Sequence, residues 1–118
     1  MVEYTMALII NRSLGMSPGK VAAQVAHGAV LATLKAMKVR PEVLETWVQQ
    51  GQRKICLQSS SKEDMLALEQ RCQKKRIQFT EVRDAGLTEI PAGSLTVVVL
   101  GPGSQPKIES LTRMLKLY

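Results

Sequence analysis

Lys20, Gln24 and His27 stand at i, i+4 and i+7 in a segment otherwise made of Val21, Ala22, Ala23, Val25, Ala26, Ala29 and Val30. At 100° per residue a helix brings the three side chains into roughly a 60° sector, one polar seam on a surface otherwise suited to burial. Lys20 in a first helical turn opposes the macrodipole, yet a cation beside free N–H groups is also how an anion pocket is assembled. Gln24 taken alone reads as a surface residue, and His27 as a hydrogen-bonded core histidine or a proton carrier. A fourth group, Asp84, opens the loop Asp84-Ala85-Gly86-Leu87-Thr88-Glu89-Ile90, which continues through Pro91-Ala92-Gly93-Ser94. Its ordinary role is to cap a turn. With the seam it could instead orient or deprotonate a water, while Lys20 and the helix N-terminus offset charge on a tetrahedral intermediate.

The elements that must hold these groups are legible from local signals. Thr5–Ile10 is a short aliphatic run expected to be a buried strand, ended by Asn11, Arg12, Ser13 and Gly15. Ser17 then suits an N-cap and Pro18 the first helical position, starting a helix that runs to about Lys38. Pro41 begins a second helix, with Val43, Leu44, Trp47 and Val48 on one face, and Gly51 ends it. A strand at Lys54–Gln58 leads into the capping signature Ser60-Ser61-Lys62-Glu63 and a third helix carrying Met65, Leu66, Leu68 and Cys72. Ile77–Val82 and the strongly apolar Leu95–Leu100 are two further strands, the latter expected to be central. Pro106 opens a last helix with Ile108, Leu111 and Leu115 in period. The order β-α-α-β-α-β-β-α predicts an α/β fold, a mixed four-stranded sheet flanked by helices, in one domain over residues 1–118.

A chain of 118 residues is the size of one core. The excess of 16 Lys and Arg over 10 Asp and Glu, a formal charge of +6, favours a polyanionic partner. Tyr4, Trp47, Phe79 and Tyr118 are its only aromatics, so contact with RNA is expected mainly at phosphate and sugar rather than by base stacking. Cys56 and Cys72 have neither the spacing nor the partners for a zinc site and read as reduced structural thiols. The opening MVEYTMALII fits neither a signal peptide nor a membrane span, so a cytoplasmic protein with no membrane association is expected.

The combination of Ser17-Pro18-Gly19-Lys20-Val21-Ala22-Ala23-Gln24-Val25-Ala26-His27 with Asp84-Ala85-Gly86-Leu87-Thr88, Gly93-Ser94-Leu95-Thr96 and Gly101-Pro102 resembles the archaeal and eukaryotic class of peptidyl-tRNA hydrolases. The closing Leu115-Lys116-Leu117-Tyr118 is similar to that family's terminus, so the likeness spans nearly the whole chain. It implies hydrolysis of the ester joining a peptide to the 3′ end of tRNA, which frees the tRNA for reuse in translation, by a homodimer needing no cofactor and no metal. It also implies catalytic roles for Lys20, His27, Asp84 and Thr88, and substrate binding by Gln24, Gly19, Gly86 and Thr96. The loop Gly15-Met16-Ser17-Pro18-Gly19 lacks the lysine that many members carry between the glycines, a departure that touches loop contacts only. Two other readings share these residues: a noncatalytic RNA- or ribosome-binding module, and a tRNA editing deacylase, which would need a pocket measuring an aminoacyl group.

Overall fold

A computed structural model describes residues 2–86 and 89–118. β1 (Tyr4–Asn11) is buried along almost its whole length, because it is covered on both faces. Met6, Leu8 and Ile10 point into one apolar cluster, while Ala7 and Ile9 point into the other. Double coverage explains why this strand reads as a continuous aliphatic run without polar alternation. After a 3₁₀ turn at Arg12–Leu14 come α1 (Pro18–Val39), α2 (Pro41–Gln49), β2 (Lys54–Ser59), α3 (Lys62–Lys74) and β3 (Phe79–Arg83). β4 (Leu95–Ser104), α4 (Gln105–Thr112) and β5 (Lys116–Leu117) complete the chain. Trp47 of α2 and Ala32 of α1 lie in the first cluster; Met65, Leu68 and Cys72 of α3 and Ile108 and Leu111 of α4 lie in the second. No helix among the described residues is long and apolar enough to cross a membrane.

The sheet is mixed, as expected, but has five strands rather than four, in the order β3-β4-β1-β2-β5. β1 and β2 are parallel, β4 is antiparallel to both of its neighbours, and β5 adds antiparallel to β2 through Leu57↔Leu117 and Gln58↔Lys116. Two residues are too few to show a period, so β5 has no sequence signature and exists only through its partner. Leu115 accordingly falls outside α4. The third strand starts at Phe79 rather than Ile77, because Arg76 takes a left-handed φ of 57° and Ile77 donates its N–H to the Cys72 carbonyl, closing the end of α3. β4 is an interior strand and runs on through the Gly101–Pro102 cis peptide, beyond its expected end at Leu100.

α1 buries a stripe of Gln24, Gly28, Ala32 and Ala36, four residues apart. Small side chains there let the helix lie close on the sheet. A methyl at Gly28 would stand 2.8 Å from Val99 Cγ2 and 3.1 Å from Val82 Cγ2, so the packing of β3 and β4 requires glycine at that point. Ala22, Ala23 and Ala26 are exposed instead, so the helix is not apolar for the sake of burial all round.

α3 and the edge strand β3 share a buried carboxyl. Glu69 is 9% exposed and its Oε2 meets no hydrogen-bond partner among the described residues. Burial pushes this carboxyl up to about 8, the neighbouring Glu81 adds to the rise, and Arg83 opposes it. Glu81 moves down, chiefly through its hydrogen bond with Glu69. Since the folded state holds a proton that the unfolded chain releases near 4.5, this site's stabilisation is fully present below about pH 4.5 and is lost as the pH rises through about 8. Urea unfolding at pH 6 and pH 9 is expected to give a lower midpoint at pH 9. Glu69→Gln, which keeps a neutral donor beside Glu81, should flatten that difference; an equal pH dependence in the variant would exclude Glu69 as its source.

Candidate active site

β1, β2 and β3 all end at the edge of the sheet where β4 begins, and α1 starts beside that edge. Ser17 caps the helix by accepting the Lys20 N–H at 3.3 Å, and Pro18 fills the first turn. The Gly19 N–H, in the first turn, has no intrahelical partner. A side chain at Gly19 would meet no atom within 4 Å, so the helix end is open on that side.

The first turn of α1 and the loop after β3 are joined by an ion pair between Lys20 Nζ and Asp84 Oδ1. The lysine side chain is 11% exposed and the aspartate 2%, so the pair is shielded from water but reachable at the lysine. The second carboxylate oxygen accepts the Gly86 N–H at 2.8 Å. The Asp84 N–H donates to the Ser94 carbonyl at 2.9 Å, and the Asp84 carbonyl accepts the Gly93 N–H at 2.8 Å, which pinches the loop shut at its base. Asp84 thus caps its turn and pairs with Lys20 at once. Gly86 has its own structural requirement, a left-handed φ of 85° and a Cβ position only 2.5 Å from Ala92 Cβ.

Gln24 lies one turn below Lys20 and is buried; its Nε2 donates to Thr96 Oγ1 at 2.8 Å. Thr96 owes its place to a β-bulge. Val82 pairs with Val97 while Arg83 pairs with Leu95, which leaves Thr96 as the extra residue. Its hydroxyl then donates to the Val82 carbonyl at 3.1 Å, one end of a chain from strand to Thr96 to Gln24. The structure therefore brings together Lys20, Gln24, Asp84 and Thr96, with Gly19 and Gly86 at the rim. His27 stands apart: it is exposed, about 10 Å along the helix from Lys20, and hydrogen-bonds to no described residue, so it is not a core histidine. Thr88 lies outside the described residues.

Two neighbours were not singled out from the sequence. Glu89 Oε1 accepts the Ser17 N–H at 2.6 Å, tying the loop to the helix cap. Its signal was available, since a carboxylate in the same loop as Asp84 suits a helix N-terminus. Asn11, 2% exposed, donates through Nδ2 to the Leu95 carbonyl at 2.9 Å and accepts from the Ser13 N–H and hydroxyl, joining the end of β1 to the start of β4. A lone Asn after a strand carries no mark distinguishing it from an ordinary turn residue.

The family model described as "Peptidyl-tRNA hydrolase PTH2" matches residues 4–118. The chain belongs to this family. It is 40% identical over 117 residues to a peptidyl-tRNA hydrolase of Thermococcus sibiricus, covering 99% of each chain. With that of Staphylothermus marinus the identity is 42% over 115 residues, covering 98% of this chain and 95% of the relative. A human relative, "Peptidyl-tRNA hydrolase 2, mitochondrial", is 38% identical over 116 residues, 98% of this chain and 65% of the human protein. A solved structure of a protein of unknown function from Agrobacterium superposes with a TM-score of 0.60 at 10% identity, covering 100% of this chain and 99% of that one, a likeness of fold alone. The chain is thus an ester hydrolase of the peptidyl-tRNA class.

In this peptidyl-tRNA hydrolase, Thr96→Val keeps the shape and strands the amide of Gln24 and the carbonyl of Val82 together. Unfolding free energy should fall by about 1–3 kcal/mol. Adding Gln24→Leu removes one stranded partner and should recover part of the loss in the same denaturation experiment; a further additive loss would mean the two groups are not coupled.

Proposed function

We propose that this peptidyl-tRNA hydrolase cleaves its ester with a water held at Asp84, while Lys20 offsets the charge that develops on the attacked carbonyl. The observation that carries this reading is the shielded Lys20–Asp84 pair beside an open helix N-terminus. Water adds to the ester carbonyl, its proton passes to Asp84, and the oxyanion forms next to the ammonium and the first-turn Gly19 N–H. The tetrahedral intermediate collapses by breaking the bond to the ribose oxygen, which takes the proton up as a hydroxyl. Gln24 and Thr96 fix the helix turn and the strand that carry the two charged groups. His27, standing exposed on the same side of α1, is available to the tRNA rather than to the pair. A cytoplasmic setting is part of the same reading.

The pair makes the roles separable. Asp84→Asn and Lys20→Met should each lower kcat about a hundredfold or more with little change in tRNA affinity, and the double variant should lose less than the product of the two. Melting curves are needed alongside, because Lys20→Met leaves a buried carboxylate without its counter-ion, a loss that reaches about 3–5 kcal/mol. Wild-type turnover by a folded Asp84→Asn would move water activation elsewhere, with His27 next. N-acetylated aminoacyl-tRNA cleaved in preference to the free aminoacyl form separates this reading from an editing deacylase, and any turnover separates it from a binding module.

We also infer a homodimer formed through α1. Ala23, Ala26, Val30, Leu34 and Met37 follow one another at intervals of three or four residues, and all are exposed. Val30, Leu34 and Met37 are 57%, 51% and 58% exposed, an apolar seam of helix-pairing pattern. Sedimentation should give a dimer for the wild type and a folded monomer for Val30→Glu/Met37→Glu. A dimer that survives both charges would place the interface elsewhere.

A further inference from the structure

The cations of this chain are not spread evenly. Lys35, Lys38 and Arg40 end α1, and Lys74, Lys75 and Arg76 end α3, and the fold brings the two groups together at the end of the molecule away from Lys20. Arg40 Nη2 donates to the Arg76 carbonyl at 2.6 Å, Lys35 Nζ to the Phe79 carbonyl at 2.8 Å, and Gln78 Nε2 to the Ala32 carbonyl at 3.0 Å. These bonds seat the 74–79 turn on the last turns of α1. Among the described residues none of the six forms an ion pair, including with Glu42 and Glu45 at the start of α2. Helix-end cations do offset the macrodipole, but that effect reaches only the last turn and accounts for Lys38 and Lys74 rather than for six cations gathered at one end of the fold.

The patch is aligned with the site. Lys20, His27, Lys35 and Lys38 fall within roughly an 80° sector of α1, on the flank that follows the edge strand β3 from Asp84 at one end to Phe79 at the other. Lys38 stands about 27 Å along the helix from Lys20. At about 3.4 Å per nucleotide of a strand this corresponds to roughly eight phosphates, past the unpaired 3′ tail and into the acceptor duplex. We infer that Lys35, Lys38, Arg40, Lys74, Lys75 and Arg76 form a remote seat for the phosphate backbone of the acceptor duplex while the ester lies at Lys20 and Asp84. Such a seat reads shape and charge rather than sequence, which suits a protein that must accept every tRNA and has few aromatics to stack on bases. It rests on peptidyl-tRNA being the substrate, and it makes the enzyme prefer the full-length molecule to a short ester with the same reacting atoms.

The test uses the full chain and two substrates: N-acetylated aminoacyl-tRNA, and the same acyl group on a short oligonucleotide ending in the tRNA 3′ sequence. Lys38→Gln/Lys74→Gln/Lys75→Gln leaves in place Lys35 and Arg40, which also bond the backbone. For the full-length substrate the variant should raise KM about tenfold, leave kcat unchanged, and lower the slope of log KM against log salt by about one for each phosphate no longer neutralised. Cleavage of the short substrate should not change. Lys107→Gln/Arg113→Gln/Lys116→Gln, on α4, its C-cap and β5, removes the same charge from another part of the surface and should have a smaller effect. An unchanged KM for full-length tRNA overturns the seat, as does an equal loss on both substrates or an equal effect of the control variant. Activity of the wild type on the short substrate reports the catalytic reading separately, so failure of one is distinguishable from failure of the other.

Discussion

Everything at the site depends on an ammonium and a carboxylate removed from water together. Either group buried alone would carry a desolvation penalty of several kcal/mol, so Lys20 and Asp84 stabilise each other's burial as a pair. Pairing makes two distant pieces of chain, the first turn of α1 and the loop after β3, into one structural unit. It also preorganises the chemistry. The carboxylate is anchored at both oxygens, by Lys20 and by the Gly86 N–H, and in the proposed mechanism the ammonium stands by the developing oxyanion. An ester needs only a positioned water and a stabilised intermediate, and the proposed roles of Asp84 and Lys20 would supply both without reorganisation.

The second support is the chain from the Val82 carbonyl through Thr96 to Gln24, made by a bulge of one residue. A regular β4 would turn Thr96 into an ordinary ladder position. The bulge frees it to satisfy a strand carbonyl and a buried helix amide with one hydroxyl. It is also the step that brings Leu95 opposite Arg83 and sets the start of the loop bearing Asp84. The small stripe of Gly28, Ala32 and Ala36 completes the arrangement, because α1 must lie close to the sheet for Gln24 to reach Thr96 at all.

Sequence reading was accurate where the signal is local. The Ser17 cap, Pro18 and Pro41 as helix starts, Ser61 before α3 and the apolar runs of β1 and β4 each announce themselves within a few residues. Helical spacing drew attention to Lys20 and Gln24 and a turn motif to Asp84, whereas Thr96 came from the resemblance to a family alone; the fold brings the four together. What escaped was nonlocal. β5 is a strand only through its pairing with β2, the Thr96 bulge is a property of two strands, and the roles of Asn11 and Glu89 lie in contacts across 84 and 72 residues. His27 was read as part of a buried seam because its neighbours are alanines, yet small residues on α1 serve two purposes and only one of them is burial.

That double use explains the unusual composition of α1. One flank, Gln24 to Ala36, is small because the sheet is close. The opposite flank, Ala23 to Met37, is apolar without being covered by this chain, the feature on which the proposed dimer rests. Between them runs the polar line of Lys20, His27, Lys35 and Lys38, which faces neither the sheet nor the apolar seam. A helix with three such faces has no single apolar side, so periodicity alone cannot say which face is inside. The ion pair at its first turn and the glycine contact at its middle decide the matter, by fixing the rotation of the helix about its axis. Once that rotation is set, the directions of the catalytic, apolar and basic faces follow without further adjustment, and a change that turned α1 by one residue position would disturb all three together.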